Sequence, residues 1–222
     1  MDARSHAARL LFVVIVAAGI AAGADVAQAA VVGAQLGVDR AGIEGDTPPN
    51  SQYTDKFGLV AGIQGEIGFA QDLSLSLQPS FVQKKSGVRI APSTRGGSTT
   101  ELELSFDYVS VPVVMKFAKA GGRTYVAGGV TVDFLTAATL SGQGSDRDVS
   151  SAYNSTGFGA VLGFGVVFPV GRTRLTTELR YVQGIANMTT GAAAAAAGAL
   201  APRLHSSGWE LIVGDLLQVG KR

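Results

Sequence analysis

The chain has 222 residues, 46% hydrophobic and 16% charged, with 18 basic against 17 acidic side chains and a net charge of +1. That balance leaves no electrostatic footprint for nucleic acid. The absence of cysteine removes both a disulfide framework and a thiolate metal site, and the length suits one domain held by hydrogen bonds and packing.

The first predicted element is an export signal. Arg4 and Arg9 make a positive start, Leu10 to Ala22 runs apolar, and Ala27-Gln28-Ala29 has the small-x-small form of a cleavage site. The apolar run falls short of the ~20 residues a membrane helix needs, which weighs against an uncleaved anchor. Cleavage after Ala29 divides the chain into a signal peptide, residues 1–29, and a single barrel domain, residues 30–222.

Eight segments follow in which apolar residues recur with a period of two, the spacing that puts one set of side chains on each face of a strand. The first, about Val31 to Asp39, sets Val32, Ala34, Leu36 and Val38 against Gln35 and Asp39. The second, about Gly58 to Phe69, sets Leu59, Ala61, Ile63, Ile67 and Phe69 against Gln64 and Glu66. In the third, Leu73 to Phe81 is apolar at odd positions and mostly polar at even ones.

The fourth runs from Glu101 to Phe117. Leu102, Leu104, Phe106 and Tyr108 are its first apolar set; beyond Tyr108 the phase flips to Val109, Val111, Val113, Met115 and Phe117. A flip within one strand predicts a bulge, with Pro112 just after it. The fifth, about Arg123 to Leu135, sets Val126, Val130, Val132 and Phe134 against Tyr125, Thr131 and Asp133. The sixth, about Gly157 to Phe168, opposes five apolar residues and Ala160 to Gly157, Gly159, Gly163 and Gly165. The seventh, about Arg172 to Val182, sets Leu175, Leu179 and Tyr181 against Arg174, Glu178 and Arg180. The eighth, about Gly208 to Leu217, turns Trp209, Leu211 and Val213 outward, with Asp215 on the apolar side.

Each segment is close to the ~9–11 residues that a tilted strand needs to cross the hydrocarbon core. The gaps alternate: 40–57, 86–100, 136–156 and 183–207 are long, whereas 70–72, 118–122 and 169–171 are short. Short periplasmic turns alternating with long outer loops is the topology of outer-membrane barrels. Phe69, Phe117, Tyr125 and Phe168 beside short turns, and Phe57, Phe81, Phe106, Tyr108, Phe134, Phe158, Tyr181 and Trp209 near long loops, predict two aromatic girdles. The pattern therefore predicts an all-β fold, an eight-stranded antiparallel up-and-down transmembrane barrel. Two membrane helices over 149–171 and 181–202 are the structural alternative, but glycines of one parity line one wall of a strand and would scatter around a helix. The alanine tract within Gly191 to Leu200 reads as part of the last outer loop.

The run Asp107-Tyr108-Val109-Ser110-Val111-Pro112-Val113-Val114-Met115-Lys116-Phe117 is similar to the central signature of the small porin-like outer membrane β-barrel domain family. Tyr125-Val126-Ala127-Gly128-Gly129 resembles the opening of that family's next strand, and Glu178-Leu179-Arg180-Tyr181 its penultimate strand. Ser110 stands where the family usually has an acid. The resemblance extends over about residues 30–220 and implies location and architecture rather than an activity.

An eight-stranded barrel is just wide enough for side chains to fill it. Glu66, Asp133, Arg174, Glu178 and Arg180 are the candidate lumen charges, and desolvated charges need partners, so an acid–base network among them is expected. His205, followed by Ser206 and Ser207, reads as a solvated loop histidine rather than a nucleophile and its base, so no catalytic residue is assigned. Asp46, Asp55, Asp146 and Asp148 read as loop charges too few for a calcium site. Gly96-Gly97 and Gly121-Gly122 read as turns, not phosphate cradles.

No cofactor or metal is expected. The expected partners are outer membrane lipids and, during biogenesis, the barrel assembly machinery; the expected state is a monomer. The expected role is structural or one of surface interaction, without enzymatic activity. A narrow porin-like channel for small solutes or ions and an exported soluble ligand-binding barrel remain open as alternatives.

Overall fold

A computed structural model describes residues 30–45, 51–91, 99–142, 144–190 and 204–219. The signal peptide and the alanine tract lie outside the described residues, as do Asp46 and Gly96-Gly97. Ten strands are present among those described: β1 (Ala30–Gly45), β2 (Ser51–Gly68), β3 (Leu73–Leu77), β4 (Ser80–Ile90), β5 (Thr100–Phe117), β6 (Thr124–Gly142), β7 (Ser145–Asp148), β8 (Thr156–Val170), β9 (Thr173–Gly184) and β10 (Leu204–Val219).

They form eight walls. β3 and β4 are one wall interrupted at Gln78-Pro79, where proline offers no N–H to the ladder. The register carries across this interruption, Leu77 opposite Gly65 and Val113, Ser80 opposite Gly62 and Ser110, and shifts against β2 only higher up, between Asp55 and Val60. β7 only extends the outer end of β6 as a hairpin. The order β1-β2-β3/β4-β5-β6-β8-β9-β10 closes on itself, because β10 pairs antiparallel with β1 from Ala30 opposite Val219 to Gly45 opposite Leu204. Closure leaves no edge strand to seek a partner in lipid. Among the described residues no helix is long and apolar enough to cross a membrane.

The strands are longer than a bilayer requires, and their polarity reverses along their length. Over the lower part, next to the short turns, large apolar side chains face outward and are exposed, among them Leu36, Ile63, Leu75, Met115, Val130, Leu162, Phe164, Leu179 and Val213. The inward face there carries the polar groups, Gln35, Gln64, Ser76, Lys116, Thr131 and Glu178, all buried, beside a smaller apolar cluster of Val114, Tyr125, Ala127, Val161 and Val182. An exposed apolar belt around a polar interior is the arrangement a bilayer stabilises, which sets aside the soluble binding barrel.

Above a ring containing Phe57, Phe81, Phe158 and Trp209, all outward and exposed, the arrangement inverts. Ile43, Leu104, Phe106, Tyr108, Leu135, Ala138 and Leu204 pack together inside, while the outer wall carries Arg40–Asp55, Lys56–Glu103, Lys85–Glu103 and Arg89–Glu101 ion pairs. This upper part stands in water on its outer side, so burial of apolar surface turns inward.

Three expectations are corrected by the structure. Phe106, Tyr108 and Tyr125 do not join the girdles; all three point inward and are buried. β5 carries no bulge, since Leu104, Phe106, Tyr108, Ser110, Val114 and Lys116 are buried in one unbroken alternation. Its apparent phase flip marks the level where the medium outside changes from water to lipid. The extra residue sits on β6 instead: Asp107 pairs with Ala137 and Tyr108 with Leu135, leaving Thr136 unpaired between them, its hydroxyl on the Asp107 carbonyl at 2.8 Å. Finally, several predicted loops are strand. β4 continues to Ile90, β2 begins at Ser51, and β10 takes in 204–207, so His205 lies in a strand opposite Glu44 rather than in a loop.

Candidate functional site

The lumen is the site that the sequence singles out, and side chains from every wall meet in it. Arg180 on β9 is its centre, 1% exposed. Its Nε donates to Glu210 on the neighbouring β10 at 2.5 Å. Its Nη1 donates to the side-chain oxygen of Gln78, on the β3/β4 wall diametrically opposite, also at 2.5 Å. One side chain thus ties two facing walls together. Glu178 Oε1 stands 4.0 Å from the same guanidinium.

Beneath it, Lys116 donates to Glu66 at 3.1 Å and lies 3.9 Å from Glu178, with its ammonium 4.7 Å from the centre of the Tyr125 ring. The Tyr125 hydroxyl donates to Glu178 at 2.7 Å. The glycine row of β8 makes the space for this. A Cβ on Gly165 would fall 2.2 Å from Tyr125 Cζ, and one on Gly163 only 3.2 Å from Arg180 Cβ.

Above it, Lys84 on β4 reaches Ser206 at 3.0 Å and Asp133 at 3.7 Å. Ser110 and Thr131 both donate to Asp133. Higher still, the apolar cluster closes the outer end. Tyr153, which follows the 3-10 turn Ser150–Ala152, sets its ring edge-on to Phe106 at 4.7 Å. Burial, and after it the neighbouring Tyr53, pushes the Tyr153 hydroxyl up to about 12, so this plug stays neutral at physiological pH. A void of about 10 Å³ between Ile43, Lys84, Phe106 and Ser206 is the size of one water.

Four of the five candidate charges, Glu66, Asp133, Glu178 and Arg180, face into this interior. Arg174 stands apart from the network: exposed at the periplasmic mouth, it lines the cavity below Glu66 and Lys116 but makes no ion pair among the described residues. The candidate set missed Asp39, Lys84, Lys116 and Glu210. Asp39, Lys116 and Glu210 share the parity of the polar face on their strands, which is the signal that would have found them. Asp39 is 1% exposed and neither carboxylate oxygen has a hydrogen-bond partner.

The other candidates fall outside any site. Ser206 is held by Lys84, and Ser207 donates to Glu44, so neither hydroxyl is hydrogen-bonded to the imidazole of His205. Asp55 pairs with Arg40; Asp148 accepts the Ser150 N–H at 2.9 Å. Among the described residues no group of acids or histidines is arranged to hold a metal ion.

Comparison with known proteins adds the decisive observation: residues 26–190 match the outer membrane protein beta-barrel domain. The chain belongs to that family. It is an outer membrane β-barrel protein. Among solved structures, the barrel is similar to Ail, the attachment invasion locus protein of Yersinia pestis, at 16% identity, covering 85% of this chain and 99% of Ail with a TM-score of 0.43. It is also similar to OprG from Pseudomonas aeruginosa, at 11% identity with 88% and 97% coverage and a TM-score of 0.44. A third is Neisserial surface protein A, at 16% identity with 84% and 96% coverage and a TM-score of 0.43. No curated protein matches the chain.

Proposed function

We propose that this protein is a closed-lumen outer membrane barrel, non-enzymatic, whose role is structural or played at the cell surface by what its upper wall holds out from the bilayer. The observation that carries this reading is the Arg180 bridge between opposite walls. A guanidinium fixed to a carboxylate and an amide across the lumen obstructs a path along the axis, and an apolar plug lies above it. Breaking such a buried contact leaves uncompensated charge, so thermal motion opens it rarely.

The reading extends to a monomer that enters the membrane through the barrel assembly machinery, with the leader 1–29 removed and 30–222 as the mature domain. Planar-bilayer recording on the purified protein tests the closed lumen: none or very small currents are expected. Sustained conductance would instead favour the narrow channel for ions or small solutes.

A further inference from the structure

The periplasmic mouth is built unlike the rest of the molecule. Among the described residues Arg40, Lys56, Lys84, Lys85, Arg89, Lys116 and Arg180 each lie within 4.0 Å of a carboxylate. The described basic residues that make no ion pair are Lys119, Arg123, Arg147, Arg172 and Arg174, and all but Arg147 sit at the short-turn end. Lys119, Arg123 and Arg174 line one cavity of about 610 Å³, with Lys116 and Glu66 at its inner end.

The acids nearby are otherwise engaged. Glu66 is bound by Lys116 and by the Ser74 hydroxyl at 2.9 Å. Asp72 accepts the Ala120 N–H at 2.7 Å, which pins the β5–β6 turn to the β2–β3 turn. Asp215 is on the outer face of β10.

The cations form one arc. Thr124 pairs with Val166 and Arg174 with Pro169, and the Val167 N–H donates to the Arg123 carbonyl, so Arg123 and Arg174 flank the last turns of β8 from either side. The cavity is amphipathic: Tyr125, Val167 and Leu216 share its wall with the charges. It has the volume of a small-molecule site, and arginine forks match phosphate oxygens bidentately.

We propose that this vestibule binds a small organic phosphate from the periplasmic side, the phosphate on Arg123, Arg174 and Lys119 and the organic part against Tyr125 and Val167. The ligand stops there. Deeper in, the Arg180 side chain spans the lumen from Glu210 to Gln78 and obstructs the axis. Two sources carry this chemistry, a soluble sugar phosphate and the phosphate of an anionic lipid headgroup.

Calorimetric titration of the full-length protein in phosphatidylcholine nanodiscs, with glucose 6-phosphate as probe, tests the site. Saturable binding that weakens with salt is expected, and none with glucose. Arg123→Gln with Arg174→Gln should weaken binding at least about tenfold through lost charged hydrogen bonds, while Arg89→Gln, at the opposite end, should leave it unchanged. Heat-modifiable gel migration checks that each variant is folded. Repetition in phosphatidylglycerol nanodiscs separates the sources: lost sugar-phosphate binding assigns the vestibule to the headgroup, and retained binding assigns it to the soluble phosphate. Absence of saturable binding in phosphatidylcholine, equal binding of glucose, or unaltered affinity in the double variant would overturn the proposal.

Discussion

The lower and upper parts of this barrel share strands, register and period, yet put opposite chemistry on each face. On β5, Lys116 is buried inside and Met115 is exposed outside; ten residues higher, Phe106 is buried inside and Ser105 lies outside. Alternation in a strand decides only that two faces differ. Which face is apolar is decided by the medium outside, lipid below the ring containing Phe57 and Trp209 and water above it. The two halves are also held differently, the lower by a charged network packed beside a small apolar cluster, the upper by a larger apolar core.

The sharpest break of the comparison targets the two interiors. Arg180→Ala should cost about 3–5 kcal/mol, because Glu210 would stay buried without its ion-pair partner. Urea unfolding in vesicles measures it, and a variant as stable as the parent would mean that water already reaches the lumen. Phe106→Ala should cost a similar ~3–5 kcal/mol for a different reason, the cavity left in a packed apolar cluster. The two costs separate by chemistry: Arg180→Met keeps much of the volume and should recover little, whereas Phe106→Leu should recover most.

A smaller effect separates the two outer faces. Leu162→Arg on the lipid belt should cost about 2–4 kcal/mol, falling as the site nears the interface. Ser105→Arg on the upper wall should stay within about 0.5 kcal/mol, being a surface change in water. Equal costs would dissolve the boundary between the halves. An inward site would give no neutral control: Ser76 on β3 is fully buried and accepts from Gln78 at 3.1 Å. An arginine there would overpack the lumen.

Strand number, the short turns and the lipid belt were legible in the sequence because they rest on period and on gap length. The flip at Tyr108 was also visible, but its cause was not. Taken alone, β5 offers two explanations, a bulge or a change of medium, and only the pairing with β6 shows Thr136 as the extra residue. Lys84 lies beyond Phe81, where the alternating run of the third segment ends, so parity alone did not mark it. Arg180 and Glu178 were identifiable by parity, but the link from Arg180 to Gln78 was not, since it joins walls 102 residues apart in sequence. Arg174 misled because parity fixes direction and says nothing of height; two residues below Thr176 on β9, the wall has already reached the mouth.

The smallest expected effect tests where the water begins. Lys56 Nζ donates to Glu103 at 2.6 Å on the outer wall, with both side chains about a third or more exposed. If that wall stands in water, Lys56→Gln should cost no more than about 1 kcal/mol, and the difference should shrink as salt screens the pair. The cost should also be indifferent to bilayer thickness, whereas that of Leu162→Arg should decline in thinner lipid as the site approaches the headgroups. A Lys56→Gln cost that grew in thicker bilayers would place this pair at the hydrocarbon boundary. The polarity reversal would then belong to the loops above it rather than to the barrel wall.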